Sequence, residues 1–206
     1  VRKRMAKNII ARFPGPTGAQ KVVLTTPISG WFRCAGERGC GLAIAIFVSR
    51  LLSKSFAVDL LLTNGHELGM CGGYHLAQSY DEELEFVLHL GSCIANIDSK
   101  MLSICSADTV TVGRIAVALK NLGIKPTIPS DPANAENWVG ESMCWVSNNL
   151  PILSITGLAP NFHARSDLPE VVTTPGLLAT AIEVIGDSAL ALGNHVKTNM
   201  SKRFVL

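Results

Sequence analysis

The segment KVVLTTPISGWFRCAGERGCGLAIAIFVSRLL, Lys21–Leu52, holds a strand, a loop and a helix in succession. Its first six residues, KVVLTT, are an apolar and β-branched run, the pattern of a strand covered on both faces. Gly36, Gly39 and Gly41 interrupt the apolar pattern, and 41–52 then has the length and composition of a helix. The same unit recurs outward along the chain. FAVDLLLT at 56–63, EFVLHL at 85–90 and PILSIT at 151–156 read as further buried strands, and MLSIC at 101–105 as another. Helical stretches fall at 68–79, 112–122, 138–148 and 175–192. Gly123 and Gly193 close two of them, and Pro175 opens the last. Strands interleaved with helices predict an α/β sandwich on a largely parallel sheet. The Pro-rich stretch 125–132 reads as a surface loop.

Composition narrows the function classes. The 206 residues are 48% hydrophobic and 17% charged, with a mean hydropathy of +0.31. That is enough apolar material for one sizeable core, and it opposes disorder. Eighteen basic residues against sixteen acidic ones leave a net charge of +2, with the basic residues mainly at the two ends, so nucleic acid is not expected as a partner. The longest uncharged apolar stretch, roughly 39–49, is too short to span a bilayer. VRKRMAKNII is basic without an apolar signal-peptide core behind it, which leans toward a cytoplasmic location and leaves the compartment otherwise open. Six cysteines include no C-x-x-C pair. They read as small core residues, with a Cys34–Cys40 disulfide an open alternative.

Ligand sites in such sheets lie beyond the carboxyl ends of the strands. Pro27, Ser29 and Glu37 follow the first strand named above. Asn64-Gly65-His66-Glu67 follow the second, Gly91 and Ser92 the third, and His163 and Asp167 the last. Three carboxylates, Glu37, Glu67 and Asp167, and two histidines, His66 and His163, therefore sit on strand-end loops placed to converge. Each has a plainer reading. Glu37 can pair with Arg38 on the surface, His66 can be a loop histidine, and Glu67 can favour the start of the next helix. His163 and Asp167 can hold a loop by hydrogen bonds. His75, His89 and His195 read as structural, and Trp31, Trp138 and Trp145 as core or pocket wall. The Gly-rich GERGCG segment also admits an anion site, and Cys40 or Cys71 a nucleophile with His66 as its nearby base.

NIIARFPG at 8–15, VVLTTPISGW at 22–31, GERGCG at 36–41, LTNGHELGMCGG at 62–73, LPILSIT at 150–156 and NFHARSDLPEVV at 161–172 together resemble the zinc exopeptidase family of bacterial leucyl aminopeptidases and glutaminyl cyclases. The resemblance implies a three-layer, phosphorylase/hydrolase-like sandwich with a mixed, mostly parallel central sheet. Its members use two metals bridged by a carboxylate and a water, with a glutamate base. Carried onto this chain, the first-metal histidine falls on Pro27 and the other first-metal ligand, an aspartate, on Gly91, so neither position offers a donor. The aspartate beyond the first histidine falls on Ser29, and the general-base glutamate on His66. The aspartate-histidine pair before the closing strand falls on Glu141 and Ser142. A ligand set for one metal remains, in Glu37, Glu67 and His163.

Two functions follow as expectations. The first is a degenerate aminopeptidase-like domain that binds protein or peptide without two-metal hydrolysis, as some members of that family do. The second is a single-zinc hydrolase or cyclase for amino-terminal or amide substrates, with zinc on Glu37, Glu67 and His163 and His66 as base. The expected cofactor is thus one zinc ion or none. The resemblance begins almost at the family's first strand. One domain over 1–206 is expected, lacking the family's preceding helix, with a second copy or a partner domain covering the exposed apolar surface.

Overall fold

The computed structural model describes residues 5–80, 83–99, 101–106, 109–120, 126–127, 134–148 and 150–203. Among the described residues, seven strands form one sheet: β1 (Ile9–Phe13), β2 (Lys21–Pro27), β3 (Ala57–Thr63), β4 (Val87–Leu90), β5 (Met101–Cys105), β6 (Pro126–Thr127) and β7 (Ile152–Leu158). Their order is β1-β3-β2-β4-β7-β5-β6. The central strands β3, β2, β4 and β7 run parallel, and β1 and β5 are antiparallel to their neighbours β3 and β7. Leu24 pairs with Leu60 on one side and Leu88 on the other, which places β2 mid-sheet, and from Val22 onward every residue of the strand is buried. That double coverage is why KVVLTT shows no alternation of polar and apolar residues.

Period-two geometry divides the core in two. On one face Val22, Leu24, Val58 and Leu88 meet α1 (Cys40–Leu52), α3 (Thr109–Lys120) and, after the short α4 (Pro169–Val172), α5 (Pro175–Arg203), through Ile44, Val48, Ile115 and Ile185. On the other face Val23, Leu61 and Val87 meet Leu76 of α2 (Cys71–Ser79) and the indoles of Trp138 and Trp145. The result is the expected α/β/α sandwich. Gly186 lets α5 lie close to α1, since a Cβ there would fall 2.5 Å from Leu51 Cδ2. By length and composition alone, Pro175–Asn194 could cross a membrane. One stripe of it, Ala181, Ile185, Ala189 and Leu192, is buried in the core.

Several local expectations are corrected. The helix expected over 138–148 is Gly140–Asn148, and it is of the 3₁₀ kind. The stretch 68–79 is broken: His66–Leu68 is a 3₁₀ turn, Met70 has a positive φ of 57°, and α2 starts at Cys71. Pro126–Thr127 is the edge strand β6 rather than loop, with the rest of the Pro-rich stretch outside the described residues. Proline is tolerated there because an edge strand need not donate on its open side. The side chain of His195 also lies outside the described residues. All six cysteines are free, including Cys34 and Cys40.

Candidate functional site

The site begins where β2 ends. Between β2 and α1 the chain makes one wide π-helical turn, Ala35–Gly39, closed by the Cys40 N–H donating to the Ala35 carbonyl. Asp167, buried in the loop after β7, holds that turn. Its carboxylate accepts from the N–H of Gly36 at 2.6 Å and of Glu37 at 2.9 Å, and its carbonyl accepts from the N–H of Ala35 at 3.2 Å. Asp167 thus has the loop-holding role read for it in the sequence, with the π turn as its object.

The turn carries Glu37 and Arg38 inward together. Glu37 is fully buried and Arg38 is 5% exposed, so their pairing is not the surface contact read from the sequence. Arg38 Nη2 lies 3.0 Å from Glu37 Oε1 and 2.9 Å from Glu67 Oε1. Nε of the same side chain donates to the Ser29 carbonyl at 2.7 Å, which locks the guanidinium plane. His163 Nε2 completes the group, 3.4 Å from Glu37 Oε1 and 3.8 Å from Glu67 Oε1. Burial pushes the Glu37 carboxyl above its usual range, and the charges of Arg38 and His163 oppose that rise. Glu67 sits on the 3₁₀ turn after β3 and points to Arg38 rather than serving the start of α2.

Glu37, Glu67 and His163 therefore do come together, with donor atoms within 4.8 Å of one another. Their types are those of a zinc site. Both Glu37 oxygens are buried without a hydrogen-bond partner, which leaves acceptor capacity in the set. The Arg38 guanidinium, however, lies 3.0 Å from Glu37 Oε1 and donates to Glu67 Oε1. Its charge sits where a zinc ion would have to be, so the set does not fit the ion while the guanidinium is in place.

Beside this cluster lies a cavity of about 160 Å³. Pro27 and Gly91, at the ends of β2 and β4, form part of its wall and offer no ligand side chain. Arg38, His66, His89 and Thr156 add polar groups, and Val139 and Phe162 apolar ones. His66 Nδ1 lies 3.1 Å from Glu141 Oε1, while Glu141 Oε2 accepts from the Thr63 hydroxyl. His66 is thus oriented by a buried carboxylate. No local pattern announces this pairing, because Glu141 lies 75 residues away. His89 Nδ1 pairs with Ser154 Oγ at 2.9 Å, and burial lowers its pKa to about 3, which keeps the imidazole neutral. The structural reading of His89 agrees with this.

The rim is aromatic. Trp31 is 51% and Phe32 57% exposed, so Trp31 is neither core nor enclosed wall, whereas Trp138 and Trp145 are buried. The Trp31 ring meets His163 edge-on at 6.2 Å, Phe162 stacks on His163 at 3.9 Å, and Arg165 lies 5.3 Å above Phe32. The geometry gives no support to a cysteine nucleophile. Burial raises the Cys40 thiol, and the His66 ring is turned to Glu141 rather than to Cys71.

No family model matches the chain, and no curated protein matches it in sequence. Solved structures do match in shape. The aminopeptidase LapA of Legionella pneumophila aligns at TM-score 0.68 and 12% identity, over 90% of this chain and 56% of its own. BSAP, a zinc aminopeptidase from Bacillus subtilis, aligns at TM-score 0.68 and 14% identity, over 88% of this chain and 49% of its own. The glutaminyl cyclase of Porphyromonas gingivalis aligns at TM-score 0.65 and 12% identity, over 88% and 76%. The chain has the aminopeptidase fold. It spans about half the length of LapA and BSAP, and at these identities the likeness extends to the fold and no further.

The fold also resists one substitution that would place a carboxylate at the end of β4. A Cβ at Gly91 would fall 2.1 Å from Thr156 Oγ1 and 2.9 Å from its Cβ. Gly91→Asp is expected to cost about 1–3 kcal/mol, the scale of forced overpacking. Adding Thr156→Ala should recover part of the loss. Urea denaturation of the single and double variants checks this, and strictly additive losses would count against the clash.

Proposed function

We propose that this chain is a binding domain built on the aminopeptidase fold, taking a peptide or an extended protein segment over the aromatic rim rather than cleaving it. The observation that carries this reading is the cavity wall at Pro27 and Gly91. Two-metal hydrolysis needs ligands at the strand ends, and neither residue can supply one. The rim supplies what peptide binding needs instead: exposed aromatic surface at Trp31 and Phe32 beside a polar cluster of fixed charge.

A single-zinc hydrolase or cyclase is the second reading. It draws on the closeness of Glu37, Glu67 and His163, and it requires Arg38 to withdraw from both carboxylates.

The test has two arms. Incubation with aminoacyl-anilide and amino-terminal glutaminyl peptides, with and without added zinc, is expected to give no turnover above the uncatalysed rate. Peptide-array binding followed by titration of the best sequence should show Trp31→Ala weakening affinity by about tenfold, the scale of a modest hot spot. Zinc-stimulated turnover abolished in Glu67→Gln would establish the second reading and end the first.

A further inference from the structure

We infer that Arg38 is the resident cation of this site: its guanidinium neutralises the carboxylates in place of a metal, and removing it would turn Glu37, Glu67 and His163 into a zinc site. Three observations carry this. First, Nη2 reaches both carboxylates through the same oxygens that face His163, Glu37 Oε1 and Glu67 Oε1. Both Glu37 oxygens are buried without a hydrogen-bond partner, so the conflict is one of charge and space: a zinc ion at these oxygens would lie against the guanidinium. Second, the charge balance opposes holding both. Two carboxylates and one guanidinium leave one net negative charge. A divalent ion added to them would leave a net positive charge around the buried Glu37 and Arg38, with two cations a few ångströms apart. Third, Arg38 is not a loose side chain that an ion would sweep aside. It is 5% exposed, its Nε is fixed to the Ser29 carbonyl, and its backbone lies in the π turn held by Asp167.

The π turn explains why a neighbouring residue can do this. Successive side chains on a regular helix diverge by about 100°. In this wide turn, consecutive residues Glu37 and Arg38 both reach inward to one cluster. Wide turns of this kind recur at functional sites.

Zinc titration with calorimetry, and metal content after dialysis, test the inference on the full chain. Wild type should show no one-to-one binding in the micromolar range. Arg38→Gln, which removes the charge and keeps much of the length, should take up one zinc per chain and bind it at least about a hundredfold more tightly than wild type, as relief of a close like charge allows. Arg38→Lys keeps a cation and should stay close to wild type. The double variant Arg38→Gln/Glu67→Gln should lose the acquired zinc.

Stoichiometric zinc in wild type, or no zinc in Arg38→Gln, would overturn the inference. Should Arg38→Gln fail to fold alone, recovery of its native circular dichroism on adding zinc supports the inference, and failure to recover overturns it. The wild-type titration decides independently of any variant. The outcome is separable from the binding role proposed above. Peptide hydrolysis without zinc uptake would end that role and leave this inference standing, whereas zinc uptake without hydrolysis would do the reverse.

Discussion

Asp167→Ala is expected to lower stability by roughly 2–6 kcal/mol, because it strips the acceptor from two buried N–H groups at about 1–3 kcal/mol each. The donors are Gly36 and Glu37, both buried. The damage should also reach the charge cluster. The π turn that carries Glu37 and Arg38 inward is pinned from the loop that presents His163, so Asp167 links both halves of the site. Asp167→Asn keeps one acceptor oxygen and should lose less. Urea unfolding at neutral pH measures both variants. A change within about 0.5 kcal/mol for Asp167→Ala, the range of an ordinary surface substitution, would mean that the turn is held by something else.

The second large effect concerns acid. His89 is 1% exposed, and burial, then the charges of His66 and Arg38, lower its pKa from 6.5 to about 3. The folded state therefore binds a proton less readily than the unfolded chain. The neutral imidazole contributes its full stability above about pH 6.5, and that contribution is lost as pH falls through the window down to about 3. Within the window the folding constant should drop about tenfold per pH unit from this group alone. Glu37 acts in the opposite sense. Its raised carboxyl favours the protonated form in the folded state, so its contribution improves as pH falls. Comparing wild type with His89→Gln separates the two, since the variant keeps Glu37 and removes the imidazole. The variant's urea midpoint should fall less than that of wild type between neutral pH and pH near 4.5. Parallel curves for the two proteins would sink the assignment.

Much of the framework was readable because burial writes itself into the chain locally. KVVLTT had to be a covered strand, and the helix that follows needed only its own apolar face. The convergence of Glu37, Glu67 and His163 followed from their places on strand-end loops, the resemblance added their reading as a ligand set, and the fold does bring the three together. What escaped was set by geometry over distance. Arg38 read as a surface partner because nothing in GERGCG announces a π turn or the Asp167 that stabilises it. The Glu141 support for His66 joins residues 75 positions apart. Trp31 read as core or wall because its apolar ring says nothing about which side of the rim it occupies.

The wide turn at Ala35–Gly39 has one more consequence. The centre depends on the length of the chain at that point as much as on its residues. Loss of one residue between 35 and 39 would turn the bulge into an ordinary helical repeat and swing the preceding side chains by about 100°, carrying Glu37 or Arg38 off the cluster while leaving the apolar stripe of α1 intact. Insertions and deletions at this bend are therefore the changes through which the chemistry could drift while the fold stays recognisable.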